Sequence, residues 1–191
     1  MNPHSRFAVP GSRFVFTFRF GSRVRCVVLG SVFALAIGAC SRTPAPAPDS
    51  AWVVGDDGAG IVRLGMTRGD LIAAGGVRGD GGGDCEFVRP ESAPTGLLVM
   101  LVEGTVRSVD VSSTGIETVA GIGVGSTEEE VRKAYPWTRV QLHKYTSGHY
   151  LIIDIGGVDG TRRLIFETDG MRVTRYRVGR IPEVDWVEGC A

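Results

Sequence analysis

The chain has 191 residues, with 21 basic and 21 acidic side chains and 28 glycines. Five of the arginines and none of the acids precede Cys40, so the remainder holds 16 basic against 21 acidic residues and is net acidic by about 5 charges. An acidic chain with no basic block and no basic–aromatic stripe excludes nucleic acid from the expected partners.

In chain order, the first 48 residues contain no Asp or Glu. Arg6, Arg13, Arg19, Arg23 and Arg25 lead into an uncharged run from Val27 to Ala39. A basic segment, a short apolar segment and then small residues form a secretory signal. The apolar run is too short for a bilayer span, which needs about 20 residues. Phe14, Phe16, Phe18 and Phe20 alternate as in a strand, but they belong to the signal and are set aside from the fold. Ile37-Gly38-Ala39 before Cys40 resembles a bacterial lipobox. That resemblance implies a signal peptide over 1–39, cleavage before Cys40 and a lipid on Cys40. Residues 40–50 then read as the lipidated cysteine and an extended Pro/Ala tether. In Gram-negative lipoproteins, Ser at the position of Ser41 goes with transfer to the outer membrane. The expected location is therefore the cell envelope, lipid-anchored: the outer membrane facing the periplasm for a Gram-negative source, the outside of the single membrane for a Gram-positive one. Membrane contact is expected through the lipid only.

Residues 51–191 are long enough for one domain with a core. Within them, "VRLGMTRGDLIAAGG" (62–76) returns as "IGVGSTEEEVRKAYP" (122–136) at an offset of 60. Gly65 falls on Gly125, Thr67 on Thr127, Asp70 on Glu130 and Leu71 on Val131. Thr67 and Thr127 are expected as helix N-caps. Asp70 and Glu130, three residues on, reach back to the cap amide and favour the positive helix end. Gly75-Gly76 stops the first helix and Pro136 the second. Arg68-Gly69-Asp70 thus sits in a first helical turn, which removes the extended loop that an adhesion tripeptide needs. A second tripeptide, Arg78-Gly79-Asp80, lies in a Gly-rich turn. Residues 96–111 and 162–178 each read as strand, acid-Gly turn (Glu103-Gly104, Asp169-Gly170) and strand, with a further strand from Tyr150 to Ile155. The expected fold is α+β: two tandem units, 51–113 and 114–191, each a short helix followed by an antiparallel meander, packed as one domain.

"LGMTRGDL" (64–71) and this arrangement resemble the tandem-repeat β-lactamase-inhibitor-protein fold and the small lipoprotein of the outer-membrane barrel-assembly machinery. The second copy departs from it, with Ser126 for Met66 and Glu128 for Arg68. The resemblance implies the fold and a tendency to bind proteins, with no interface residues carried over.

Cys85 and Cys190 remain after Cys40, an even count in an oxidising compartment, and a disulfide between them is expected. No CxxC pattern offers a redox or metal alternative. "GIGVGST" lacks the third Gly of a dinucleotide loop and the Lys of a P-loop, and Glu128–Glu130 repel phosphate. His143 and His149 lack a third ligand at clear spacing. Asp80, Asp84 and Glu86 miss the calcium-loop spacing. Trp52, Trp137 and Trp186 read as core or rim residues, one of them able to cap a recognition face. No catalytic, cofactor or metal residue is assigned, and no enzyme activity is expected. The expected role is an envelope-anchored, non-catalytic module binding an envelope protein, as an assembly factor or enzyme inhibitor. A small-ligand or glycan-binding lipoprotein is the first alternative and a hydrolase with an unrecognised site the second.

Overall fold

The computed structural model describes residues 50–79, 83–156 and 160–190. The signal segment, Cys40 and Asp80 of the second tripeptide lie outside the described residues. After a 3-10 turn at Ser50–Trp52 come three two-residue strands, β1 (Val54–Gly55), β2 (Gly58–Ala59) and β3 (Val62–Arg63). They form a small antiparallel sheet in that order. Helix α1 (Arg68–Gly75) leads into β4 (Val77–Arg78), β5 (Cys85–Pro90), β6 (Leu97–Val102) and β7 (Thr105–Val111). Helix α2 (Glu128–Ala134) leads into β8 (Arg139–Leu142), β9 (His149–Asp154), β10 (Arg162–Thr168) and β11 (Val173–Arg180). A second 3-10 turn, Glu183–Asp185, lies in the C-terminal segment. No helix among the described residues is long and apolar enough to cross a membrane.

The α+β expectation of two helix-then-meander units is corrected here. The described chain is mostly β, with two helices of eight and seven residues. Strands from both halves run in one antiparallel sheet ordered β4-β5-β6-β7-β11-β10-β9-β8. The join is β7 on β11, with Val109 opposite Val178 and Val111 opposite Tyr176. The physical reason is the size of the helices. Among its residues α1 buries only Leu71, and α2 buries Val131 and Glu128. So little apolar surface cannot close a separate core over four strands. Fully burying one Leu or Ile is worth about 1.5–3 kcal/mol, and pooling the two strand sets makes many such positions.

Strand alternation sorts the sheet into two faces. Leu97, Val99 and Leu101 of β6, Val109 and Val111 of β7, Leu151 and Ile153 of β9, Leu164 and Phe166 of β10, and Tyr176 and Val178 of β11 point to one side. There they join Leu71 and Val131 of the helices and Trp52, Val54 and Val62 of the N-terminal segment in the main core. The Tyr176 hydroxyl donates to the Ile116 carbonyl at 3.0 Å, so this buried phenol keeps a partner. Burial pushes its pKa up.

Both helices start on the same hinge. Gly65 and Gly125 have φ of 90° and 97°, a left-handed backbone that side chains resist. Each Gly amide donates at 2.9 Å to a hairpin strand, Gly65 to Val106 and Gly125 to Val173. Thr67 and Thr127 then cap their helices. Their hydroxyl oxygens accept from the amides of Asp70 (3.1 Å) and Glu130 (3.2 Å). The carboxylates accept in return from the Thr67 and Thr127 amides at 2.8 and 2.7 Å. Arg68-Gly69-Asp70 therefore lies at the start of α1, with Asp70 tied to its own cap.

Candidate functional site

The other face of the large sheet carries the unusual features. Its positions mix polar and apolar: Tyr150 and Ile152 of β9, Arg163, Ile165 and Glu167 of β10, Arg175, Arg177 and Gly179 of β11, and Ser108 and Asp110 of β7. The C-terminal segment crosses this face as a strap. It leaves β11 through a cis Ile181–Pro182 bond and ends at Cys190, which is bonded to Cys85 at the start of β5 (S–S 2.03 Å). Val184 is fully buried and joins Tyr150, Ile152 and Ile165 in a second apolar cluster, with Ile181 and Val187 packed beside it. Gly179 permits this approach. A Cβ there would meet the Arg107 carbonyl at 2.6 Å, and Val184 at 3.0 Å.

Charged side chains pin the strap to the sheet. Buried Arg177 donates from Nε to the Val184 carbonyl at 2.6 Å and from Nη1 to Glu167. Glu167 also has His143 Nε2 at 3.3 Å and Arg175 Nε at 3.7 Å. Arg163 donates to Asp154 from Nε at 2.7 Å and to Asp185 of the strap from Nη1 at 2.5 and 2.7 Å. Arg107 stands 3.5 Å from Glu183, and Lys144 3.3 Å from Glu188. The Arg177–Glu167 pair is buried on both sides, and such a pair is costly to break from one side, because the survivor is left charged and unpaired.

A cleft opens on each side of the strap. One, of about 270 Å³, is lined by Arg139, Gln141, Tyr150, Ile152, Arg163 and Asp185 among others. The second, of about 320 Å³, is lined by Phe87, Met100, Ser108, Asp110, Arg175 and Trp186 among others. In the second, Ser108 donates to Asp110 Oδ2 at 2.6 Å. Burial pushes the Asp110 carboxyl up in pKa, against the lowering pull of Ser108, Arg177 and Arg175. Trp186 and Phe87 are both exposed at this cleft.

A third feature is the outer edge of the sheet. Among the described residues β8 pairs with β9 alone, and all four of its residues are exposed. Val140 and Leu142 share the helix-side face, opposite Leu151 and His149 of β9. Leu142 is 81% exposed, and Trp137, three residues before Val140, is 63% exposed.

The sequence-derived residues fall as follows. Thr67, Asp70, Thr127 and Glu130 form the two capping boxes on the opposite side of the sheet from the strap. Cys85 and Cys190 fasten the strap. Cys40 is outside the described residues. His143 and His149 do not converge. His149 Nδ1 lies 2.7 Å from Glu128 Oε1, whereas the His143 ring stacks on Tyr150 at 4.4 Å, facing the strap. Among the described residues no group of three His, Cys, Asp or Glu is placed to hold a metal ion. Sequence reasoning did not single out Glu167, Arg177, Arg163 or Asp110. Their signal was the alternation of charge with Leu164, Phe166, Tyr176 and Val178 along strands whose other face is apolar.

No family model matches the chain, and no curated protein matches it. Three solved structures resemble it. An extracellular protein containing an SCP domain from Bacillus anthracis gives a TM-score of 0.43 at 12% identity, over 62% of this chain and 44% of that one. This chain thus spans under half the length of that protein. The uncharacterised protein yfeY from Escherichia coli gives 0.43 at 14% identity, over 67% of this chain and 99% of the other. A DUF4309 family protein, YjgB, from Bacillus subtilis gives 0.39 at 21% identity, over 60% and 78%. Likenesses this distant carry no functional argument.

Proposed function

We propose that the protein is a non-catalytic binding module of the cell envelope, tethered through a lipid on Cys40, and that it holds a protein partner along the β8 edge. The observation that carries this reading is the edge itself. An edge strand offers a row of backbone donors and acceptors on its outer side, and an extended partner segment can add to it as a further strand. Scattered apolar residues on a surface need no explanation. Here Trp137, Val140 and Leu142 stand within six residues, and the last two alternate onto one face of the edge. An added strand would lie beside both and could set apolar side chains of its own against them. The lipobox resemblance and the Pro/Ala spacer support a tether that leaves this edge free to meet its partner.

The test places a photo-crosslinking residue at position 142 or 137 in cells, with position 72 as the comparison, since Ile72 is exposed on α1, whose first residue bonds to β5 at the other end of the strand order. Discrete protein adducts from 142 and 137, absent from 72, are expected. Leu142→Lys should remove co-purification of the adduct partner without moving the melting temperature. Adducts that form equally from position 72 would reject the edge as the interface. For the tether, Cys40→Ala should abolish processing and membrane partitioning, and unchanged partitioning would reject it.

A further inference from the structure

We infer that the cleft between the strap and strands β5–β7 is a binding site for a neutral saccharide. Its lining decides the ligand class. Asp110, Glu183 and Glu188 stand there with Arg175 and Arg177. The carboxylates disfavour an anion, the guanidinium groups disfavour a cation, and so many polar groups disfavour a purely apolar guest. What fits is an uncharged molecule with hydroxyls at its rim and an apolar face. A pyranose ring has that form: C–H groups on one side and hydroxyls around the edge.

The chain meets both parts. Trp186 and Phe87 are exposed aromatic side chains at the cleft, and an aromatic ring gives a large flat surface at little conformational cost. Met100, buried and opposite Phe87, forms part of the same lining. For the hydroxyls, Asp110 and Arg175 are the available pair. Asp110 Oδ2 accepts from Ser108, and Oδ1 faces Arg175 Nη2 at 3.8 Å, with no hydrogen bond to Oδ1 among the described residues. The Arg175 side chain is 47% exposed, and its ion pairs to Asp110 and Glu167 are at 3.8 and 3.7 Å. Neither distance is a hydrogen bond. A hydroxyl placed between these groups donates to the carboxylate and accepts from the guanidinium, which is the complementary use of an O–H. By contrast, the cleft on the other side of the strap has its arginines committed. Arg163 makes bonds of 2.5–2.7 Å to Asp154 and Asp185, and Arg139 one of 2.9 Å to Asp154. A volume of about 320 Å³ suits a compact guest of one or a few rings. This inference stands apart from the protein-binding edge, which lies at the far end of the sheet from β5.

The experiment titrates the purified protein with three probes: cellotriose, maltotriose and the β-1,4-linked trimer of N-acetylglucosamine. Calorimetry and tryptophan fluorescence read the binding. Saturable binding of at least one probe is expected. Trp186→Ala and Arg175→Ala should each weaken it by at least about tenfold, the loss of roughly one good contact. Val119→Ala, exposed and outside the cleft, should leave the affinity unchanged. Both cleft residues are partly exposed, so both variants should keep the Cys85–Cys190 bond and the parent melting temperature, which are checked first. Absence of saturation by all three probes up to about 10 mM, ten times a millimolar dissociation constant, would overturn the inference. So would binding that persists at parent affinity in both variants.

Discussion

The two helix starts share a backbone and differ in what their first residue does. At 65–70 and at 125–130 a left-handed Gly, a Thr cap and a returning carboxylate occupy the same places. The next amide along also has an equivalent partner: Arg68 donates to the Gly104 carbonyl and Glu128 to the Met171 carbonyl, each at a hairpin turn. Yet the side chain of Arg68 reaches outward, to Glu86 at 3.2 Å and the Gly79 carbonyl at 3.1 Å. The side chain of Glu128 is buried, with Thr168 donating at 2.6 Å, His149 at 2.7 Å and Arg132 donating at 2.9 Å. The lesson is that a cap fixes where a helix begins, while the first helical residue is left free to choose its neighbour. In α2 that choice ties the helix to β9 and β10. In α1 it ties the helix to β5, with a basic group at the helix end that favours acids.

Substitutions at these positions test the contrast. The largest effect is expected from Glu128→Ala, which strands Thr168 and His149. It should cost about 2–3 kcal/mol in a denaturant midpoint experiment. Burial pushes the Glu128 carboxyl up, but the bonds from Thr168 and His149 and the charges of His149 and Arg132 outweigh it and hold the pKa below the usual carboxylate value. A lowered folded pKa means stabilisation that is complete above the unfolded value, about 4.3, and lost as pH falls through the folded one. The parent should therefore lose stability below that range more steeply than Glu128→Gln does. A flat difference between the two across pH 3–6 would remove Glu128 as a linkage group.

Next in size are Thr67→Ala and Thr127→Ala, each expected to cost about 0.5–2 kcal/mol, as a lost N-cap does. The two should be similar to one another. A large effect at one and none at the other would mean that the joints are equivalent in shape only. Asp70→Asn and Glu130→Gln should each cost less than the Thr substitution beside it, because they keep hydrogen-bonding atoms and lose charge. Backbone bonds from the Thr67 and Thr127 amides are the first cause holding both carboxyls below their ordinary pKa. Their contribution is thus full above the unfolded carboxylate range and fades as pH falls through the lowered values. The smallest effect is expected from Arg68→Ala, below about 1 kcal/mol and shrinking with added salt. Should Arg68→Ala cost as much as Glu128→Ala, the distinction between the two first helical residues collapses.

Legibility in the sequence follows the span of the interaction. Every bond within the capping boxes joins residues three apart, so a short pattern such as Gly-x-Thr-x-x-Asp can carry them. Hairpins such as β6–β7 turn at Glu103-Gly104, again a local signal. The pairing of β7 with β11 is different: Val109 meets Val178 across a gap no periodicity encodes, so the sequence reads as two units where the sheet is one. The strap was equally hidden. Its residues 181–190 hold one short alternation, Glu183 to Trp186, too short to place them, and Val184 sits close over Gly179, where a Cβ would meet it at 3.0 Å. The charges beneath it, Glu167 and Arg177, alternate with apolar residues as solvated strand positions do, and only the segment that covers them makes them buried.

The bond between residues 85 and 190 makes a closed loop of the chain. It begins with the first residue of β5 and takes in every later strand of the large sheet and the whole of α2. A single peptide cut anywhere from 86 to 189 therefore opens the ring without separating the molecule. The cut protein should migrate as one species without reductant and fall into two fragments with it. Were the N-terminus held at a membrane, such a cut would release nothing into the surroundings. The pieces would part only after reduction.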